Sequence, residues 1–352
     1  AVFLGPVGMG IAGLFNTTID VFLSITSLGL DKSGVKEISF AKQNSKTNAY
    51  QDVIMLLKRL SIYTSVIGAA LMFFFSYPLS YIVFKSYDYF SAFMWLGLAL
   101  LFKQLTQVNL AILQGLRVVK LLAKANVYGS FLGLLLSFPL YYYFEVKAIV
   151  PAIIITNLIA FSISSFYEHK QHKIKNKNTG IFQDFVKGKA LLKLGVILNF
   201  TSIISLISTY GFQIYLTSVS SLELVGFYLA GVAILNYSVN IVFNAMSMEY
   251  YPRLAAVHNS NNKLRGVIEK QSIIALLIIT PIVIVFSVLS PFFVKVLYSS
   301  KFLDILVFVK WAIFGMFFKA ISWSIGYSFI AKGDSKVFLK TTIIFNFLLF
   351  CF

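Results

Sequence analysis

Apolar stretches alternate with short charged or turn-rich breaks along the entire chain, and the stretches have a common length. A helix needs about 20 predominantly apolar residues to cross the hydrocarbon of a bilayer. Nine such segments run from Gly8 to Leu30, Leu60 to Phe84, Phe90 to Leu113, Asn126 to Phe144, Ala148 to Phe166, Leu194 to Val219, Leu224 to Met248, Ser272 to Tyr298 and Ile305 to Ile330. A tenth begins near Val337. The pattern predicts an all-α polytopic membrane protein. Ala1 to Leu4 reads as the tail of an earlier span, so the ten are numbered two to eleven, and a first and a twelfth are expected outside this sequence.

Composition agrees with that pattern. Hydrophobic residues make up 58% of the chain and charged residues only 12%, against about 25% charged in soluble domains. A water-soluble enzyme or nucleic-acid-binding domain is excluded. The net charge of +17 has another origin. One alternate set of loops carries 23 of the Lys and Arg residues, from Lys32 and Lys36 to Lys336 and Lys340, whereas the opposite set carries four, Lys85, Lys147, Lys295 and Lys301. Cytoplasmic loops concentrate basic residues, so this asymmetry sets the orientation and nucleic acid is not an expected partner. The lone Cys351 makes no internal disulfide, and His169 and His172, which follow Glu168, read as part of a solvated basic linker rather than a metal site.

That linker, 167–192, separates an N-terminal bundle at 1–166 from a C-terminal bundle at 193–352, and the two resemble each other. Trp95, Phe102 and Lys103 recur as Trp311, Phe318 and Lys319, each displaced by 216 residues, and Val7, Gly8, Ala12 and Gly13 recur as Val225, Gly226, Ala230 and Gly231, displaced by 218. The displacement equals six spans. Two parallel, pseudo-symmetric six-helix bundles are expected, 12 spans when complete.

Chemistry inside the spans is sparse. Asp20 is the single acid well within one, on a stripe with Asn16, Ser24 and Ser27, and Asn236, Asn240, Asn244 and Ser247 repeat that spacing at a displacement of 220. Such stripes either bond packed helices together or line a polar cavity, and the charge on Asp20 favours the cavity, with the two stripes facing across it. Lys103 and Lys319 lie near mid-span, where a lysine costs about 2.5–3.5 kcal/mol. They are either buried contacts within each half or a cationic lining for an anionic substrate. No nucleotide-binding loop or facing acidic pair is present in the sequence.

The strings LGPVGMGIAGLF at Leu4 to Phe15, LQGLRVVKLLAKANV at Leu113 to Val127, VGFYLAG at Val225 to Gly231, YPRLA at Tyr251 to Ala255 and AKGDSK at Ala331 to Lys336 resemble, in order and spacing, the Wzx-type O-antigen flippases of the multidrug/oligosaccharidyl-lipid/polysaccharide exporter superfamily. The resemblance implies a transporter rather than an enzyme. It would move an undecaprenyl-pyrophosphate-linked oligosaccharide across the inner membrane by alternating access, without cofactor or metal. Membrane lipids and polysaccharide-assembly proteins are its implied partners. The expected substrate-binding residues are Lys103 and Lys319 for the pyrophosphate, and Asp20, Asn16, Asn236 and Asn240 for the sugar or a coupling proton. A cation-coupled multidrug exporter of the same superfamily would favour more intramembrane acids, and a membrane polymerase or glycosyltransferase would need clustered catalytic groups.

Overall fold

A backbone inside hydrocarbon must satisfy its own hydrogen bonds, which leaves a chain with these spans little choice but helix. The computed structural model describes residues 3–44, 49–170, 181–257, 260–332 and 334–351, and among them it contains helices and no strand. In chain order they are α1 (Gly5–Thr26), α2 (Leu30–Asn44), α3 (Ala49–Phe74), α4 (Ser76–Phe84), α5 (Phe90–Gly115), α6 (Val119–Phe144), α7 (Ile149–His169), α8 (Ile181–Val219), α9 (Leu222–Ala256), α10 (Asn261–Leu297), α11 (Ile305–Ala312), α12 (Gly315–Lys332) and α13 (Ser335–Cys351). Every expected span is thus a helix or a consecutive pair. Among the described residues six segments are long and apolar enough to cross a membrane by length and hydropathy alone, or seven with α11 and α12, which meet at 44°. One pair of expected spans is counted there as a single segment. α6 and α7 form one continuous helical run broken at Glu145, whose φ is +46°.

The contacts divide the chain into two compact units, one of residues 12–219 and one of 1–11 with 220–352. Within the first, α6 and α7 pack as an antiparallel pair with Gly129 facing Ala160 and Gly133 facing Thr156, and α7 and α3 both pack on α5. Leu30, Ile38, Ile54, Leu57, Leu60, Val108, Ile112 and Leu191 form its buried core near the basic loops. Within the second, α9, α10, α11 and α12 surround Ile234, Val239, Phe243, Ile279, Phe302 and Val309. At its edge the backbones of Pro6 and Gly10 touch those of Leu222 and Gly226, an approach that only glycine allows. Large apolar side chains such as Phe131, Leu134 and Phe138 remain exposed on the outer faces, where lipid replaces water as the neighbour.

Three details depart from the sequence reading. The basic stretch after α1 is itself helix, in which Leu30 and Ile38 form a buried edge. Leu28 (φ +51°) and Gly29 (φ +66°) make the turn into it, and Lys42 and Ser39 donate to the carbonyls of Leu116 and Gly115 (2.7 and 3.0 Å), tying α2 to the end of α5. Second, Glu168 is not solvated. It is fully buried at the end of α7 and paired with Lys58 of α3, with His169 3.2 Å away. A buried carboxylate is costly unless a cation pairs with it, and Lys58 supplies that cation. Third, the neighbouring Arg59 lies 3.5 Å from buried Asp184 of α8, which also accepts from Tyr63 at 3.2 Å. The central part of the expected linker, 171–180 with His172, lies outside the described residues; no cluster of three potential metal ligands occurs among those described.

Candidate functional site

Two intramembrane lysines organise the polar chemistry, each within its own unit. In the first unit, α1 carries Asp20 and α5 carries Lys103, and Nζ donates to Oδ1 at 2.6 Å, with both side chains partly exposed. In the second, α9 carries Asn236 and Asn240 and α12 carries Lys319, whose Nζ donates to their Oδ1 atoms at 2.9 and 3.4 Å. The principal bonds join residues 83 apart in both units. Lys103 and Lys319 are 216 residues apart, and so are Asp20 and Asn236. The bonds therefore align Asp20 with Asn236, one helical turn from the correspondence that the stripe spacing alone suggests. Asn16 takes no part, since its Nδ2 donates to Ala12 O of its own helix at 2.8 Å.

Around Asp20 the first unit holds a cavity of about 190 Å³, lined among others by Ser24, Ser27, Gln107, Asn199 and Ser202. Asp31, Lys32 and Gln107 also line an adjoining space of about 340 Å³ that continues along α5 to Gln114. Lys32 lines both spaces. Its Nζ donates to Asn199 Oδ1 at 2.8 Å and Ser202 Oγ at 2.7 Å, while Asn199 Nδ2 donates to Ser24 O at 2.7 Å. α1, α2, α5 and α8 thus enclose a polar groove carrying two lysines and two aspartates in an otherwise apolar bundle. A low-dielectric wall strengthens each of these interactions relative to water. Such a groove can hold a polar or charged headgroup without exposing it to lipid.

Sequence reasoning singled out Asp20 and Lys103 but missed Lys32, Asn199 and Ser202. In the sequence Lys32 reads as a loop cation, because the charges of α2 obscure its helical pattern. Asn199 and Ser202 carried a usable signal, two polar residues at i and i+3 on one face of an otherwise apolar span.

The model of the family described as polysaccharide biosynthesis protein matches residues 1–307. Among curated proteins none is detectably similar in sequence. A solved structure of a multidrug resistance MATE family transporter of the MOP superfamily, in an inward-facing conformation, superposes with a TM-score of 0.76 at 16% identity, covering 98% of this chain and 81% of the other. At that identity the likeness is one of fold.

Proposed function

The chain belongs to the polysaccharide biosynthesis protein family, and from that premise we propose that it is a transporter that moves an undecaprenyl-pyrophosphate-linked oligosaccharide, such as an O-antigen unit, from the cytoplasmic to the periplasmic leaflet of the inner membrane. The observation that carries this reading is the polar groove of the first unit. Asp20, Lys103, Lys32, Asn199 and Ser202 place charge and hydrogen-bonding groups inside the membrane, at a cost that a purely structural bundle would avoid. By the basic-loop orientation this groove lies toward the cytoplasm, the side on which such a substrate is loaded. Sugar hydroxyls need donors and acceptors side by side, and the lining supplies both. The deep lysines, Asp20 and the asparagines of α9 are the residues we assign to the substrate.

The reading is tested by reconstituting the protein in vesicles with a fluorescent undecaprenyl-pyrophosphate oligosaccharide and following its accessibility to an external quencher. Protein-dependent exchange between leaflets is expected. Exchange no faster than in protein-free vesicles would overturn the assignment.

A further inference from the structure

The two lysines occupy equivalent positions, yet their partners differ in charge. Lys103 meets the carboxylate of Asp20, so that pair carries no net charge. Lys319 meets two carboxamides, which solvate an ammonium but leave its charge intact, and no carboxylate among the described residues pairs with it. Every acid of the second unit (Glu223, Glu249, Glu269, Asp304 and Asp334) lies toward the ends of its helices or between them, none at the level of Lys319. A half-buried cation at mid-span without a counter-ion is expensive, and it is complete only when an anion joins it. The carboxamides add a second ingredient. With Oδ1 of Asn236 and Asn240 turned to the ammonium, their Nδ2 donors have no partner among the described residues, and N–H donors beside a lysine are what a phosphoryl oxygen requires.

We propose that Lys319, with Asn236 and Asn240, forms an anion site for a phosphoryl group, and that Lys103, neutralised by Asp20, does not. The assignment rests on the transport reading and divides the work between the two halves. The second unit holds the anionic headgroup. The first offers a charge-balanced polar surface.

The reciprocal substitutions test it directly. Asn236→Asp turns the second site into a copy of the first, and Asp20→Asn turns the first into a copy of the second. Binding to the purified full chain in detergent is measured calorimetrically with farnesyl pyrophosphate and with inorganic pyrophosphate. Lys319→Gln and Asn236→Asp should each weaken binding about tenfold or more, Lys319→Arg should retain it, Lys103→Gln should weaken it clearly less than Lys319→Gln, and Asp20→Asn should tighten it. Asn236→Asp is isosteric, and an unchanged melting temperature of the variant separates loss of binding from unfolding. Lys319-dependent binding of both probes identifies a site for the free anion, whereas binding of the prenyl form alone identifies a lipid headgroup site; both support the assignment. Equal losses in Lys103→Gln and Lys319→Gln, or parental binding by Asn236→Asp, would overturn it while leaving leaflet exchange in the vesicle assay untouched. Failure of the parent chain to bind either probe also overturns it, and leaflet exchange then decides the transport reading separately.

Discussion

Lys58 and Glu168 show how much a single pair can matter in a bundle with so few charges. The carboxylate is fully buried and the ammonium largely so. Removing one partner of such a pair leaves an uncompensated charge, typically at a cost of about 3–5 kcal/mol. Lys58→Ala should therefore lower the unfolding temperature in detergent markedly, and adding Glu168→Gln should restore most of it. If the single and double variants melt alike, the pair is dispensable. This contact was not legible in the sequence, because Glu168 sits among lysines and histidines and composition assigns it to water. The deep lysines were legible, since a mid-span cation stands out against its apolar neighbours. What they bond to was not, because pairing across α1 and α5, or α9 and α12, depends on helix rotation, which the repeat spacing specified only to within one turn.

Elements pack here through their smallest residues. Gly29, with its left-handed φ of +66°, lies backbone to backbone against Gly195 of α8, and a Cβ at position 195 would meet the carbonyl groups of Leu28 and Gly29. At Gly129, by contrast, an added Cβ would rest 3.5 Å from Ala160 in ordinary contact. Gly195→Ala should destabilise the protein by about 1–3 kcal/mol, while Gly129→Ala should be neutral or slightly stabilising because alanine favours helix. Thermal unfolding of the two variants in the same detergent separates them, and equal behaviour would refute the packing argument. The hydrophobic periodicity located α1, α5 and α7 to within a few residues. It missed α2, whose lysines outweigh its buried Leu30 and Ile38, and it did not anticipate how far α8 extends before its apolar span, from Ile181 rather than Leu194. Length signals apolar crossing, but a helix continues past the membrane wherever capping and ion pairs support it.

At the scale of the molecule, the distribution of lysine and arginine makes a topological claim. Lys124, near the start of α6, and Lys147, in the turn before α7, are both exposed and lie at opposite ends of one helix. With Cys351 replaced by serine, a cysteine at 147 should react with a membrane-impermeant maleimide on intact cells, and one at 124 should react only after permeabilisation. The reverse pattern would invert the protein. Contacts rather than composition decide which unit a helix joins, and α8 joins residues 12–219. Part of that attachment is the Lys58–Arg59 doublet, which holds Glu168 at the end of α7 and Asp184 at the start of α8. The two points between which the intervening chain must close are thereby fixed by a third helix. For flexible inserted sequence the entropy of closing a loop grows only logarithmically, by about 0.6 kcal/mol for each doubling of length. The interval between these anchors is therefore the place where a reporter domain or an affinity tag can be spliced into the protein while the salt bridges on either side keep the bundle in register.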